Sequence, residues 1–361
     1  MAALEVLLGE RRIAGRAELA EAMRILATEA APDCPAGAPG DYLEPRLFSQ
    51  LVRPGFEDMT LEQLLFGRAA EKPAEIVAMT DATGVVSLPG LGSCRTGFPQ
   101  ARVSMRFDRD ARSFTVRSGA GGTQVCPLAP SRTVGSTGIE VVDHLDPMLA
   151  GFLANHVEAA ERLTLVDDPG GCLPDLSRAL DLIAAVRPEF HGWLSESLMG
   201  VLLFRHPDAE PFAALGMHGM IFLNVPQSTT AAYFVEQFTH QGGHVVFSEA
   251  TLRRGDFFAV DPETPLADFI AQDDPRIVYD AFHGLYTEHM ELQIYRALLQ
   301  QGLVTEAEGA DLRDFAAAVS KRHATDLALI APRAKEIFSE EGLAVFGEFQ
   351  SDCESENNGH G

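Results

Sequence analysis

Two histidines four positions apart, His240 and His244 in the run THQGGHVVF, are the residues whose type and spacing most directly promise chemistry. On a helix such positions share a face, so both imidazoles can reach one metal ion. Spacing alone is a modest signal, because eleven histidines in 361 residues would give about 0.3 such pairs by chance. The intervening residues sharpen it. HQGGH is the zinc-protease pattern H-E-x-x-H with Gln241 in the place of the glutamate. A neutral amide has no basic lone pair with which to take a proton from metal-bound water, so hydrolysis is disfavoured. A redox-active metal that activates oxygen needs no carboxylate base there. Iron(II) is therefore expected over zinc, with Gln241 beside the reacting centre.

The expected third ligand is His283, within AFHGLYTEHM. Arg276 precedes it by about two helical turns, on the same face if one helix carries both. Its guanidinium fork matches a carboxylate, which would let Arg276 hold a 2-oxo acid that chelates the metal. The plainer alternative is a surface arginine at a helix start. His289, about 120° round the helix from the His283 face, should point elsewhere. His218, at the start of a strand, reads as a satisfied polar residue rather than a substrate contact. Glu236 lies one turn before His240 and Ser248 one turn after His244. Either could orient a ligand imidazole, or simply face solvent. Gly242 and Gly243 each cost up to ~1 kcal/mol inside a helix relative to alanine. Tight helix packing, or close approach of a cosubstrate or peptide, would offset that.

The elements that must position these groups can be read from periodicity and punctuation. Ser228 is placed to cap a long helix over 229–254. Asp274-Pro275 is placed to open the next helix, running to Gln300 and carrying both Arg276 and His283. Thr305 and Glu308 form a capping-box signature for a further helix. Before them, LPDLSRALDLIAAVRPEF reads as a helix stopped by Pro188, while MGVLLFRH and MHGMIFLNV read as strands. Nearer the start, MTLEQLLFGRAAEK is helical, and RVSMRF and SFTVRS form an antiparallel hairpin. The fold class is therefore α+β. A mostly helical metal-binding half with a small antiparallel sheet, 166–350, follows a mixed N-terminal region of unknown role, 1–165. Residues 351–361 form a polar tail with too little apolar surface to fold.

From about Leu173 to Leu299 the order of these features resembles the HExxH-motif proteins that modify ribosomally made peptides, the 2-oxoglutarate-dependent peptide β-hydroxylases. The ALDLIAAVRPEF helix, the GMIFLNV strand, the HQGGH helix and DPRIVYDAFHGLY recur in that family's order. DPR followed by the histidine-glycine pair is the more specific part. The resemblance implies iron(II) on His240, His244 and His283, with 2-oxoglutarate and O2 as cosubstrates. It also implies a precursor peptide as substrate, hydroxylated at a Cβ. Gln241 departs from the family's glutamate. Two other classes stay open: a zinc hydrolase with an atypical base, and a catalytically silent peptide-binding relative.

Composition bounds these readings. A net charge of −24 argues against a nucleic-acid partner, which needs a concentrated Lys/Arg surface. With 46% hydrophobic residues and no apolar run of membrane-spanning length, no membrane partner is expected. Five scattered cysteines without a C-x-x-C suggest reduced thiols in the cytoplasm. The opening stretch, LEVLLGERRIAGRAELAEAMRIL, is an amphipathic helical pattern without the features of a signal peptide.

Overall fold

The computed structural model describes residues 44–52, 59–67, 72–119, 121–166 and 168–358, the side chains of 51–52 and 352–358 excepted. The amphipathic opening stretch and residues 359–361 lie outside them. The chain forms two compact units. One comprises Met1–Pro174 with Ser195–Gln227; the other comprises Asp175–Leu194 with Ser228–Gly361. The division is not the expected one at 165/166. The two strands read as part of the metal-binding half belong to the first unit, and the second is helical among its described residues.

In the first unit, α1 (Pro45–Val52) and α2 (Leu61–Phe66) precede β1 (Ile76–Met79), β2 (Val85–Leu88), β3 (Gly92–Arg95), β4 (Arg102–Asp108), β5 (Ser113–Ser118), β6 (Gly122–Pro127) and β7 (Ala129–Pro130). Strands β1, β4, β5 and β6 form an antiparallel sheet in the order β1-β4-β5-β6. The expected hairpin is β4–β5. Its alternation buries Val103, Met105, Phe114 and Val116 while neighbouring positions face outward. Strands β2, β3 and β7 make a second antiparallel sheet. Gln63 of α2 bonds the backbone of Met79 in one sheet and Ser87 in the other.

A third sheet collects β8 (Arg132–Thr133), β9 (Glu140–Val142), β10 (Thr164–Leu165), β11 (Gly200–Arg205), β12 (Phe212–Ala213) and β13 (Met220–Asn224), with α3 (Pro147–His156) between β9 and β10. The expected α+β class holds, with two small antiparallel sheets, while this third sheet is mixed, because β11 runs parallel to both β9 and β13. Five successive buried residues in β11 fit a central strand covered on both faces.

The second unit takes in most of α4 (Leu173–Val186) and of α5 (Pro188–Ser197). Pro188 opens α5 at its first position instead of merely ending α4, as its fixed φ allows. The long helices α6 (Ala231–Ala250), α8 (Val278–Gln301) and α9 (Glu306–Ile330) follow, with the short α7 (Arg254–Phe257) after α6. Beyond α9 come α10 (Ala334–Ile337) and α11 (Glu340–Asn358). Residues 351–358, expected as a tail, continue α11.

Three helix ends decide the site. Thr230, not Ser228, stands at the cap position of α6, and its hydroxyl donates to Asp311 of α9 at 3.0 Å. Helix α8 begins at Val278, later than Asp274-Pro275, and stops at Gly302 in the left-handed conformation that glycine adopts freely. Thr305 and Glu308 form the expected capping box of α9. The unit's core gathers Phe247, Tyr279, Phe282, Leu285, Ile330, Phe338 and Phe346 from four helices and the link before α11.

Candidate metal centre

Helices α6 and α8 pack closely enough that a Cβ built on Gly243 would lie 3.2 Å from Cγ2 of Thr287. Bare backbone at 243 therefore serves helix packing. This close approach carries His244 of α6 to His283 of α8. His244 Nδ1 lies 2.7 Å from His283 Nε2, which also contacts the backbone carbonyl of His244 at 3.2 Å. On the other side, His244 Nε2 lies 3.3 Å from His240 Nε2. Ring centroids are 4.8 Å apart for His240–His244 and 4.1 Å for His244–His283.

The three predicted ligands thus meet in a row with His244 in the middle, using its two nitrogens in opposite senses. One imidazole presents its nitrogens in different directions, so a single ion held by all three requires the His244 ring to turn or His283 to swing toward its Nε2. Phe247, stacked on His283 at 5.0 Å, backs that ring. All three histidines are partly exposed.

Electrostatics suit this role. Burial pulls His244 well below its ordinary range, helped by the charges of His283 and His240. Burial likewise pulls His283 down to about 4. Both rings are neutral at pH 7, the form that ligates a metal. His240 behaves oppositely. Burial lowers it, but Glu291 and then Glu236 outweigh burial and raise it.

Glu291 of α8 is wholly buried, with Oε2 3.3 Å from His240 Nδ1. Its Oε1 accepts a hydrogen bond from Tyr295 Oη at 2.9 Å. Ligand atoms of Glu236, His240 and Glu291 all lie within 4.8 Å of one another. Glu236 is pushed up to about 7 by burial, with the neighbouring Glu291 adding to the shift. Sequence reading reached Glu236 as a possible partner of a ligand but missed Glu291 and Tyr295. The available signal was an acidic side chain flanked by Met290 and Leu292 in the helical run MELQIY, followed four residues later by a phenol.

Arg276 departs from its expected role. It precedes α8 and does not share a helix face with His283. Its Nε and Nη2 bond the Asp274 carboxylate at 2.8–3.3 Å, and its Nη1 and Nη2 bond Asp326 of α9. Asp274, expected to cap the helix, instead also accepts the Arg276 backbone N–H at 2.9 Å. With both faces of the fork engaged, Arg276 as placed does not fit as the anchor of a 2-oxo acid.

The remaining candidates separate cleanly. Gln241 is buried on α6, about 100° round the helix from His240. His289 bonds Gln293 at 2.8 Å and packs on Phe349, away from the imidazole row as expected. His218 lies in the first unit, packed against Phe48. No protein-family model matches the chain, and no curated protein matches it.

Proposed function

We propose that this protein is a non-haem iron(II), 2-oxoglutarate-dependent oxygenase that hydroxylates a Cβ of a ribosomally made precursor peptide in the cytoplasm. The observation that carries the proposal is the 2.7 Å approach of His283 to His244, residues 39 apart that the resemblance pairs as ligands. His240, His244 and His283 would hold the metal. Two of them are neutral at pH 7, as ligands must be, and all three are partly exposed. The bound ion and its oxo acid would supply oxygen activation, which no side chain provides. The chain's own part is positioning: α6 sets the His240–His244 pair, α8 brings His283, and Phe247 backs the His283 ring. Gln241 offers no base. The oxo acid's distal carboxylate must either displace Asp274 and Asp326 from Arg276 or find another donor.

The test is to supply purified protein with iron(II), 2-oxoglutarate and the peptide encoded beside its gene. Succinate should form and the peptide should gain the mass of one oxygen atom, and both should vanish in a His240→Ala, His244→Ala double variant. Iron-loaded protein that consumes no 2-oxoglutarate and leaves the peptide mass unchanged would end the proposal.

One observation favours a second reading, a zinc hydrolase. Glu236, pushed up to about 7, is a carboxyl that can exchange a proton near neutral pH one turn from His240. Stoichiometric zinc together with peptide cleavage that Glu236→Gln abolishes would establish it.

A further inference from the structure

His240 has two ring nitrogens, and the structure gives each a different neighbour. Nε2 faces His244 Nε2 at 3.3 Å, whereas Nδ1 faces Glu291 Oε2 at 3.3 Å. Both atoms of the second pair are buried and, among the described residues, have no hydrogen-bond partner. A buried carboxylate oxygen without a donor is costly, and so is a buried ring nitrogen left unpaired. The nearest remedy for each is the other.

We infer that Glu291 is the positioning residue for His240, accepting the Nδ1 proton and so directing the Nε2 lone pair to the metal position beside His244. This deepens the reading proposed above and rests on it. Metal-bound imidazoles commonly donate their second N–H to a carboxylate, which fixes both tautomer and ring plane. Glu291 is built for the task. It is 0% exposed, and Tyr295 one turn further along α8 holds its other oxygen at 2.9 Å. Glu236 is the rival acceptor, but it lies on His240's own helix and its carboxylate takes the Gln237 side-chain amide. Among the described residues, no other donor reaches the Glu291 Oε2. The order is thus Tyr295 to Glu291 to His240, the first two on α8 and the last on α6.

Cobalt(II) alone is the probe, titrated into the full-length protein and followed by its visible bands. Glu291→Gln keeps the shape of the side chain and removes its charge. It is expected to raise the Kd for cobalt(II) about 10- to 100-fold and to shift the bands, with the melting temperature of the metal-free protein held. Tyr295→Phe should raise Kd less, and the double variant should be no worse than Glu291→Gln, since both act through one contact. Should Glu291→Gln fail to fold, Tyr295→Phe decides.

An unchanged Kd and spectrum in the variant that folds would overturn the inference. So would two bound ions in the wild type and one in Glu291→Gln, because Glu291 would then be a ligand of a second cation shared with Glu236. The underlying reading fails separately: His244→Ala and His283→Ala would each leave cobalt(II) binding intact.

Discussion

Arg276 shows how much a single residue's role depends on its partners. As a sequence position it is a guanidinium shortly before a candidate ligand. In the fold it ties the start of α8 to α9 through Asp274 and Asp326. Arg276→Gln should therefore cost about 1–3 kcal/mol in urea unfolding while cobalt(II) affinity stays unchanged, because two carboxylates lose their shared cation. Stability equal to wild type would return Arg276 to the list of free anion anchors.

Glu288, on the α8 turn after His283, makes the opposite kind of statement. It is buried and pushed up to about 7, chiefly by burial and then by the charge of Asp326, with Arg322 only partly offsetting them. The unfolded chain releases this proton near 4.5 and the folded chain near 7, so stability is lost as pH rises through that window. Glu288→Gln should be more stable than wild type above pH 7, by at most about 3 kcal/mol, and the advantage should fade toward pH 4.5. Urea unfolding at several pH values measures it; a pH-independent difference would contradict the shift.

At the scale of elements, the seam between α6 and α8 controls the site. His240 and His244 ride on one helix, His283 and Glu291 on the other, and Gly243 against Thr287 sets their spacing. Gly243→Leu should force the helices apart, costing about 1–3 kcal/mol and weakening cobalt(II) binding together with stability. Gly243→Ala should come near neutrality, the helix gain of about 1 kcal/mol set against a squeeze on Thr287. If Gly243→Leu left metal affinity at the wild-type value, the seam would not be what positions the imidazoles.

For the whole molecule, the helical unit is discontinuous in sequence. Segment Asp175–Leu194 lies in sequence between strands β10 and β11 of the other unit and yet belongs with residues 228–361. Arg178 of α4 holds Glu308 of α9 through two bonds of 2.8 and 2.9 Å. A chain of 228–361 alone should lose cooperative melting, and joining 175–194 to it through a flexible linker should restore melting and cobalt(II) binding. Equal behaviour of the two pieces would show that α4 and α5 are dispensable.

Features readable from the residues alone are those that local rules govern. The i, i+4 histidine pair, the β4–β5 alternation and the Thr305–Glu308 capping box depend on residues a few positions apart, and each formed where periodicity placed it. The nearness of His283 to the pair was expected from its reading as the third ligand, and its ring does lie 2.7 Å from His244. Tertiary structure decided the rest. The parallel pairing of β11, the capture of Arg276 by Asp326 and the facing of Glu291 with His240 join groups distant along the chain. Charged side chains go where a buried partner compensates them, and that partner is known only once the helices have packed.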